Sequence, residues 1–360
     1  MNILLIAKLA NHTLDENILS PLLKSSQVNH IYVLRDFPGD MISEKVTYLH
    51  PEKLTKSKIR HLKKVINGIS YCSEYKIDAI LGVLITPHGY IGKTLSLFTR
   101  IPYVHITIAG HREYWIDGKL VEKMNIALFK RANAITVTGK QTQSYLNSKG
   151  VDLNKIVILP NLPNASFTNV NVAVNNQRMY DIVSFSRIDK NKNIDLLLRA
   201  VARIKDSCTI KLIIAGDGDE LKNLEVVADN LKMRDNVKFV GYISKLEDKV
   251  NIYTNSKIFV SCSKGEGFPV SLLEAMSCGC VPVVSNVGDI VDVIQQGKNG
   301  FVFNDTDDEK ELAEFLLQLL NGEGLIKNMR KEALKIKKNI SVDNNAKIWD
   351  GILSKLNKKE

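Results

Sequence analysis

Residues 258–285 have the sequence IFVSCSKGEGFPVSLLEAMSCGCVPVVS, and the order of features along this stretch decides the fold. An apolar, β-branched run ends at Cys262, a glycine-containing loop follows, and a helical pattern begins near Val270. A second apolar run, Val281–Ser285, comes after that helix. Strand, helix and strand in this order form the βαβ unit of a parallel sheet. The stretch therefore predicts an α/β protein.

The same alternation of strand and helix patterns extends over the whole sequence. In the first half the predicted strands are Asn2–Lys8, His30–Arg35, Val46–Leu49, Asp78–Ile85, Tyr103–Ala109, Ala134–Thr138 and Ile156–Leu159. In the second half they are Asp181–Ser186, Ile210–Ala215, Val237–Val240, Ile258–Cys262, Val281–Ser285 and Phe301–Phe303. Longer helical patterns separate these strands. We therefore expect two Rossmann-like, doubly wound domains with parallel sheets.

The length of 360 residues, at about 100–200 residues per domain, corresponds to two domains. A boundary is expected in Pro160–Arg178, PNLPNASFTNVNVAVNNQR, which is rich in asparagine and has little periodicity. The predicted organisation is an N-terminal domain over 1–165, a linker over 166–179, a C-terminal domain over 180–340 and a C-terminal helix over 341–360 that packs back on the N-terminal domain. Because open α/β sheets bind ligands at the carboxyl ends of their strands, we expect the two sheets to face a shared cleft that holds the active site.

Composition and cysteine usage indicate a cytoplasmic protein. Hydrophobic residues make up 44% and charged residues 24% of the chain, as in ordinary globular proteins. No apolar run reaches the ~18 residues of a membrane span, and the N-terminus shows neither a basic region nor a small-residue cleavage site. The five cysteines are odd in number, and their one close pair, Cys278 and Cys280, fits neither a disulfide framework nor a usual zinc pattern. We therefore expect reduced thiols.

The formal net charge of +10 belongs mainly to the first half. Residues 1–165 contain 21 Lys and Arg against 12 Asp and Glu, a net of +9, whereas residues 166–360 contain 28 against 27, a net of +1. A positive field on one domain favours an anionic partner. Lipid headgroups, a phosphorylated acceptor and nucleic acid all meet that condition, and the sign of the charge does not choose among them.

A basic amphipathic pattern occupies residues 56–69, KSKIRHLKKVINGI. Ile59, Leu62, Ile66 and Ile69 recur there at helical spacing with five cations around them. The pattern predicts a surface helix that packs its apolar stripe on the sheet and exposes its lysines. The alternative is a helix that rests on an anionic membrane. In both arrangements the cations can reach lipid, so we expect loose, salt-sensitive association with the inner face of the plasma membrane.

The loop Ser263–Pro269 carries the clearest chemistry. It joins a strand to a helix whose first-turn N–H groups, together with the helix dipole, form a site for a phosphate. Pro269 is compatible with the first helical position. Glu274, about one turn into the helix, is placed to accept hydrogen bonds from a sugar diol. Glu266, on the loop itself, is expected nearer the group attached to the outer phosphate.

The segment Glu266–Ala275, EGFPVSLLEA, resembles the E-x7-E motif of glycosyltransferase family 4. Further elements of that family occur in its order, and they are Ser186–Asn193 (SRIDKNKN), Ala215–Gly218 (AGDG), Phe239–Gly241 (FVG) and Met276–Val284 (MSCGCVPVV), followed by Gly288. The resemblance implies a GT-B fold and the transfer of a sugar, with retention of configuration, from a UDP- or GDP-sugar to a glycan or lipid-linked acceptor. Such reactions build cell-surface polysaccharides such as O-antigen, capsule and exopolysaccharide.

The resemblance also assigns roles to residues. It implies that Arg187 and Lys192 neutralise the diphosphate, for which their charges are suited. It implies that Glu274 holds the ribose and that Glu266 contacts the transferred sugar. The donor site that it implies comprises Gly216, Gly241, Gly267, Phe268, Pro269, Val270, Ser271 and Glu274. Stabilisation of the leaving diphosphate is then the main catalytic device, and no metal or other cofactor is expected.

The first half departs from the family pattern near the reacting group. Family members commonly place His-Gly after the strand predicted at Tyr103–Ala109, whereas residues 109–112 here are AGHR. His111 is therefore a candidate catalytic residue, displaced by one position. His88 follows another predicted strand and is the rival candidate. The loop after the first strand also lacks the paired glycines often found in the family.

Other functions stay open at the level of sequence. Asp217-Gly218-Asp219 spells the D-x-D motif of metal-dependent glycosyltransferases, but it lies in a turn that opens a helix, where capping is the simpler role. A nucleotide-sugar epimerase of GT-B fold would consume donor without an acceptor. A phosphorylase is disfavoured because no segment suggests a lysine-anchored pyridoxal site. A basic nucleic-acid-binding protein would need a reader motif or an aromatic-interleaved basic patch, and neither is recognised.

Overall fold

The chain divides into two compact units, each of which carries one parallel sheet. Unit 1 comprises Met1–Leu162 and Ile340–Glu360, and unit 2 comprises Pro163–Asn339. The computed structural model describes residues 1–49, 59–108, 118–173 and 177–357.

Strands and helices are numbered in chain order. The strands are β1 (Asn2–Ile6), β2 (His30–Leu34), β3 (Val46–Leu49), β4 (Ala79–Val83), β5 (Tyr103–Ile106), β6 (Ala134–Val137), β7 (Ile156–Ile158), β8 (Tyr180–Phe185), β9 (Leu212–Ala215), β10 (Val237–Phe239), β11 (Ser256–Ser261), β12 (Val281–Ser285) and β13 (Phe301–Phe303). The helices are α1 (Asn11–Leu14), α2 (Ser20–Lys24), α3 (Arg60–Glu74), α4 (Tyr90–Thr99), α5 (Lys119–Lys130), α6 (Lys140–Ser148), α7 (Ala165–Asn169), α8 (Ile194–Ile204), α9 (Leu221–Asn230), α10 (Leu246–Thr254), α11 (Val270–Ser277), α12 (Lys310–Asn321), α13 (Glu323–Ala333) and α14 (Val342–Asn357). Each predicted strand corresponds to one of these strands, with ends that differ by up to three residues, and Ala109, the predicted end of one strand, lies outside the described residues. None of these described helices is long and apolar enough to cross a membrane.

The sheet of unit 1 has the strand order β3-β2-β1-β4-β5-β6-β7, with every neighbouring pair parallel. Alternate residues of β1 pack into two different apolar cores, Leu4 into one and Ile3 and Leu5 into the other. Such burial on both faces explains why β1 is apolar throughout. The chain runs outward from β1 to β3 and then returns to β4, so the strand order reverses between β1 and β4.

The C-terminal helix α14 belongs to unit 1 and packs on α2. Its Trp349 is fully buried in the same core as β1. At its edges, Ser25 Oγ donates to Asp350 Oδ1 at 2.6 Å, and Lys24 Nζ lies 2.7 Å from Asp343 Oδ1. The last helix therefore completes the core of the first unit.

The sheet of unit 2 has the order β10-β9-β8-β11-β12-β13 and is also parallel throughout. The strand order reverses between β8 and β11. Helix α8 covers this sheet and buries nearly all of its apolar side chains, because Leu and Ile recur along it at helical spacing. The order of strands is that of a dinucleotide-binding fold.

Both ends of the predicted linker are packed into unit 2. Asn164 caps α7 by accepting the Ser166 N–H at 2.9 Å, and Phe167 of this helix is fully buried. Arg178 is also buried, and its Nη2 donates to the Cys278 carbonyl at 2.9 Å. The boundary between the units lies at Leu162, before α7.

Helix α3 is oriented differently from the prediction. The exposed fractions of Ile59, Leu62, Ile66 and Ile69 are 53%, 58%, 57% and 38%. The expectation that this stripe packs on the sheet is therefore wrong, and so is the expected exposure of Lys64, which is buried. Lys56 and Lys58 lie outside the described residues. The apolar stripe is the outward side of the helix.

The buried side of α3 consists of Lys64, Gly68 and Cys72. Gly68 lets α4 approach closely, since a Cβ there would lie 2.7 Å from Leu95 Cδ1. Lys64 is almost completely buried, and its Nζ lies 2.6 Å from Asp36 Oδ1. Lys64 with its ion pair and the small residue Gly68, four positions later, therefore determine the buried face of the helix, although the apolar pattern predicts the other face.

The Asp36→Asn substitution is expected to destabilise unit 1 by about 3–5 kcal/mol, because it leaves the buried Lys64 ammonium without a counter-charge. Burial opposes ionisation of Asp36, but the hydrogen bond and charge of Lys64 outweigh it, so the pKa of Asp36 is lowered. The stabilisation is thus present at neutral pH and is lost as the pH falls below ~4. Urea unfolding followed by tryptophan fluorescence, to which Trp115 and the buried Trp349 contribute, measures the effect.

Lys24→Ala is the matched control, because the Lys24–Asp343 pair has a similar length but is exposed on both sides. Its loss is expected to cost less than about 1 kcal/mol. The double variant Asp36→Asn, Lys64→Met removes both charges and is expected to recover most of the lost stability. Equal losses for Asp36→Asn and Lys24→Ala would contradict the buried ion pair.

Candidate functional site

The candidate site lies at the carboxyl edge of the unit 2 sheet. β8 and β11 pair in parallel, with Ile182 opposite Ile258, so the loops that follow them, residues 186–193 and 262–269, lie side by side. The strand order reverses between these two strands. Open α/β sheets bind ligands at such a point, because the loops separate there and leave a crevice.

Lys192 and Glu266 form an ion pair across the two loops, and both side chains are mostly buried. Ser263 Oγ donates to Glu266 Oε1 at 2.8 Å. The Ser263 carbonyl in turn accepts the hydroxyl of Ser285 at 2.7 Å. The structure therefore brings together two of the residues assigned to donor chemistry and holds the carboxylate in a defined position.

Asn191 connects the same two loops through the main chain. Its carbonyl accepts the Lys264 N–H at 2.8 Å, and its Nδ2 donates to the Gly265 carbonyl at 2.9 Å. Asp189 Oδ1 accepts the Lys192 N–H at 3.2 Å. Backbone contacts on both sides therefore position the Lys192 side chain.

Arg187 lies at the solvent side of this arrangement. Its side chain is 76% exposed, and its Nε donates to Asp189 Oδ2 at 2.7 Å. Exposed pairs of this kind contribute only about 0–1 kcal/mol. The guanidinium can therefore exchange Asp189 for an anionic ligand at little cost.

The segment Glu266–Phe268 packs against Gly288. The φ angle of Gly288 is +60°, and a Cβ there would lie 2.1 Å from the Gly267 oxygen and 2.5 Å from the Glu266 oxygen. The Asp289 N–H donates to the Gly267 carbonyl at 2.9 Å. Position 288 therefore requires glycine, and its close approach fixes the path of the loop.

Helix α11 begins directly after this loop. Pro269 is its N-cap residue, and no described side chain caps the helix. The Leu272 N–H donates to the Pro269 carbonyl at 3.2 Å. Val270 and Ser271 come before Leu272 in the first turn, where N–H groups have no acceptor within the helix. First-turn amides of this kind, with the helix dipole, bind phosphate groups.

Glu274 lies on the second turn of α11 and is half-buried. The hydroxyl of Tyr253, which is fully buried, donates to Glu274 Oε2 at 3.4 Å. Burial raises the pKa of Tyr253 well above its ordinary value, and the charge of Glu274 adds to this effect. A neutral phenol therefore orients the carboxylate at this edge.

The two predicted glycine turns meet each other. The Gly216 N–H donates to the Gly241 carbonyl at 2.8 Å, and both residues have positive φ angles, +141° and +68°. A Cβ at Gly216 would lie 1.8 Å from the Ser186 oxygen. Glycine therefore lets the turn after β9 reach the loop that carries Arg187.

The D-x-D sequence lies in an exposed turn. Asp217 Oδ1 accepts the Gly218 N–H at 2.8 Å. Helix α9 begins at Leu221 with Glu220 at its N-cap and no side-chain cap bond, so the expectation that Asp217 or Asp219 caps this helix is wrong. Among the described residues there is no group of three or more His, Cys, Asp or Glu side chains able to hold a metal.

Of the two candidate histidines, only His88 lies within the described residues. His111 lies outside the described residues, and its role stays a prediction. His88 follows β4 in unit 1 and is buried. Burial lowers the pKa of His88 to about 4, with a smaller contribution from the charge of Lys64, so its imidazole is neutral at pH 7.

Three residues of the site were missed by the sequence analysis, namely Asn191, Tyr253 and Ser263. Asn191 stands between Arg187 and Lys192 in the quoted motif, and its amide is a signal that was present but not used. Ser263 likewise lies three residues before Glu266. Tyr253 lies 21 residues before Glu274, and no local sequence pattern indicates the hydrogen bond between them.

Residues 168–336 match the family model described as glycosyl transferases group 1. The matched range lies within unit 2 and includes both loops and helix α11 of the candidate site. The matched range contains all of the motifs on which the family resemblance rests.

Several proteins resemble this chain in sequence. N-acetyl-alpha-D-glucosaminyl L-malate synthase of Bacillus anthracis is 32% identical over 152 residues, which are 42% of this chain and 39% of that protein. An uncharacterized glycosyltransferase of Methanocaldococcus jannaschii is 27% identical over 228 residues, 59% of this chain and 58% of that protein. The N,N'-diacetylbacillosaminyl-diphospho-undecaprenol alpha-1,3-N-acetylgalactosaminyltransferase of Campylobacter jejuni is 27% identical over 297 residues, 73% of this chain and 74% of that protein. The similarity thus spans less than two thirds of the first two relatives.

Solved structures of the same architecture extend over the whole chain. HepE of Anabaena, in complex with UDP, has a TM-score of 0.80 at 18% identity and covers 99% of this chain and 100% of that one. The apo form of the lipopolysaccharide outer core galactosyltransferase WaaB has a TM-score of 0.76 at 17% identity, with 99% of each chain covered. Together with the two parallel sheets, this likeness confirms the two-domain α/β GT-B fold.

The Gly288→Ala substitution is expected to displace the loop at Glu266–Phe268. A positive φ angle costs alanine about 1–2 kcal/mol, and the overlap with the Gly267 and Glu266 oxygens adds about 1–3 kcal/mol. Unfolding free energy measures the total cost, and amide hydrogen exchange of residues 265–269 is expected to accelerate.

Gly297→Ala is the control for backbone strain, because Gly297 also has a positive φ angle, +73°, but no atom lies within 4 Å of its Cβ position. Only the strain cost of about 1–2 kcal/mol is expected there. If both variants lose the same stability and leave loop exchange unchanged, position 288 does not support the loop.

Proposed function

We propose that this chain, whose residues 168–336 match the glycosyl transferases group 1 family model, moves a sugar from a nucleotide-diphosphate sugar to a glycan or lipid-linked acceptor. The observation that carries the proposal is the Lys192–Glu266 pair, held at the sheet edge beside the start of α11, which no described side chain caps. This edge offers a cation, a carboxylate and first-turn amides at one place. A sugar joined to a diphosphate has groups that bind to all three.

In this proposal the diphosphate lies at the start of α11. The first-turn amides and the cations of Arg187 and Lys192 neutralise it, since both side chains are suited to phosphate oxygens. Glu274 accepts hydrogen bonds from the ribose, and the backbone after Gly241 receives the base. Glu266 then accepts hydrogen bonds from hydroxyls of the transferred sugar once Lys192 turns to the phosphate. HepE, a protein of the same fold, is described with UDP bound, which favours a UDP-sugar as the first donor to test.

Catalysis in this proposal rests on the leaving group. Negative charge grows on the diphosphate as its bond to the sugar breaks, and donors already fixed around it stabilise that charge. The acceptor hydroxyl attacks from the face that the diphosphate leaves, and a phosphate oxygen accepts its proton, so the configuration is retained. Because Arg187, Lys192 and α11 neutralise the diphosphate, the reaction is proposed to need no metal.

The proposed acceptor is a glycan or a lipid-linked saccharide of cell-surface polysaccharide synthesis. The Campylobacter relative is named for a diphospho-undecaprenol-linked acceptor, and it is similar to this chain over 73% of the length. The net charge of +9 on residues 1–165 also favours an anionic acceptor or membrane. The reaction is proposed to take place at the cytoplasmic face of the plasma membrane.

Helix α3 is proposed as the membrane contact of unit 1. Its exposed stripe presents four branched apolar side chains to solvent, with Arg60 and Lys63 beside them. Of the fifteen large apolar side chains that are exposed among the described residues, eleven lie in unit 1. An apolar stripe flanked by cations is the pattern of helices that lie in the bilayer interface.

UDP- or GDP-sugars are expected to raise the melting temperature of the protein. A ligand at 100 times its Kd adds about 2.7 kcal/mol of stability. Glu274→Ala and Arg187→Ala are each expected to weaken donor binding about tenfold, because a charge-assisted hydrogen bond to the ligand is lost. Thermal scans with a panel of nucleotide sugars measure both effects.

Glu314→Ala and Lys222→Ala are the matched controls, because both residues are exposed on helices of unit 2 outside the site. Their donor response is expected to equal that of the wild type. The response and the rate of sugar transfer are expected to persist in excess EDTA. If no nucleotide stabilises the wild type, or if Glu274→Ala and Arg187→Ala respond as the wild type does, the proposed donor site is wrong.

The protein is expected to bind liposomes that contain anionic lipid at low salt. The double variant Leu62→Ser, Ile66→Ser is expected to weaken this binding at least tenfold. Each substitution removes an apolar side chain whose burial in the bilayer stabilises binding by about 1.5–3 kcal/mol. Flotation at low and high salt measures the bound fraction, which should fall as salt screens the cations.

Val226→Ser is the control for the loss of an exposed apolar side chain, because Val226 lies on α9 of unit 2 and is 56% exposed. Its binding to liposomes is expected to be unchanged. Absence of wild-type binding at low salt, or equal binding by the α3 double variant, would show that this stripe does not contact lipid.

A further inference from the structure

The carboxyl edge of the first sheet carries charged and titratable side chains that the donor chemistry does not use. They follow β1, β2 and β4 or lie in the first turns of α3, and they are Lys8, Asp36, Arg60, His61, Lys64 and His88, called here the edge cluster. β2, β1 and β4 are adjacent and parallel, so the loops that follow them share one edge. The strand order reverses there between β1 and β4, which is where open α/β sheets bind ligands.

The Asp36–Lys64 ion pair holds the edge cluster together. Its length is 2.6 Å and both side chains are more than nine-tenths buried. Burial raises the pKa of Asp36, but Lys64 first, and then Lys8 and Arg60, outweigh this effect and lower it. The charges of Lys8 and Arg60 are therefore near enough to act on the Asp36 carboxylate.

The edge cluster has a surplus of positive charge at neutral pH. It contains three Lys and Arg side chains and one carboxylate. Burial lowers the pKa of His88 to about 4 and also lowers the pKa of His61, where Arg60 adds to the effect. With both rings neutral the net charge is +2, which matches the charge of a phosphate or diphosphate ester.

Two ring nitrogens of the edge cluster are buried without a hydrogen-bond partner in the described part of the chain, His61 Nδ1 and His88 Nδ1. His88 is only 3% exposed. Buried polar atoms are normally paired, so these two indicate a missing partner group. Each imidazole can donate a hydrogen bond from Nδ1 in one of its tautomers. The planar guanidinium of Arg60 supplies further N–H donors, and the exposed Lys8 supplies a flexible ammonium group. Phosphate oxygens accept from all of them.

We infer that the edge cluster binds a phosphate or diphosphate group of the acceptor, an inference that rests on the proposed sugar transfer. Lys8 and Arg60 contact the phosphate oxygens directly, and His88 donates to them from the floor of the site. The Asp36–Lys64 pair is a positioning element, because it is too deeply buried to leave its place in the fold.

Helix α3 connects this site to the exposed apolar stripe. Arg60 is its first residue, and Ile69 lies nine residues later, about 14 Å along the helix axis. A phosphate at the start of α3 therefore leaves an attached lipid chain within reach of the stripe. The chemistry is that of a phosphate ester in either case, and a lipid-linked phosphate is the source that this geometry favours over a free sugar phosphate.

Decyl diphosphate and inorganic pyrophosphate test the site on the full-length protein, with UDP present in excess to occupy the donor site. Decyl diphosphate is expected to bind, and Lys8→Ala and Arg60→Ala are each expected to weaken it about tenfold. Because an anion beside an imidazole favours its charged form, binding is expected to raise the pKa of His88 above about 4 in an NMR titration of its ring protons.

Lys45→Ala is the matched control, because Lys45 is an exposed lysine of unit 1 that precedes β3 and so lies at the opposite edge of the sheet. Its affinity for decyl diphosphate is expected to equal that of the wild type. Wild-type affinity in the double variant Lys8→Ala, Arg60→Ala would overturn the site. Tighter binding of decyl diphosphate than of pyrophosphate supports a lipid-linked phosphate, and equal binding of the two overturns that source.

Donor binding is measured on the same samples, so that the two proposals fail separately. If nucleotide sugars stabilise the protein while the edge-cluster variants bind decyl diphosphate normally, only the acceptor site is wrong. If the edge-cluster variants lose decyl diphosphate while nucleotide sugars have no effect on any sample, the donor proposal is wrong and the phosphate site stands.

Discussion

The parallel pairing of β8 with β11 is the constraint on which the candidate donor site depends. Because these strands run in the same direction, their following loops must emerge at one edge, and the reversal of strand order places no other strand between them. Lys192 and Glu266 are 74 residues apart in the chain and meet only for this reason. The two charges and the start of α11 take their positions from that pairing, and the glycines that follow β9 and β12 let the neighbouring turns approach these loops.

The strands and their order of occurrence could be predicted because each strand is a short apolar run bounded by turn residues. The orientation of α3 could not. Its apolar stripe predicts burial, yet the burial of Lys64 with Asp36 and the close packing of Gly68 on Leu95 turn the stripe outward. Asp36 lies in a loop and Lys64 in a helix 28 positions later, and their ion pair produces no periodic pattern in either segment. The interaction that orients α3 could therefore not be recognised from a single sequence.

The candidate site shows the same division. Glu266, Pro269 and Glu274 lie within one short segment, and a motif in one segment can be recognised from sequence. The bond from Tyr253 to Glu274 comes from a separate helix. The contact of Gly216 with Gly241 also joins two turns that are distant in the chain. Residue types were therefore predictable, whereas their mutual support required the packing of the sheet.

The two units place an ion pair at corresponding edges of their sheets, and the pairs differ in what a ligand can do to them. Lys192 and Glu266 are mostly buried but retain some exposure. In the proposed function, a bound diphosphate pairs with the lysine while sugar hydroxyls donate to the carboxylate. Such an exchange leaves no charge unpaired, so it avoids the cost of breaking a buried pair. Asp36 and Lys64 are nearly sealed from solvent, and no ligand group can replace either partner without unpacking α3. The pair in unit 2 therefore suits a site where ligand groups replace protein groups as partners. The pair in unit 1 instead forms a fixed support, beside which the side chains of Lys8 and Arg60 can bind a ligand.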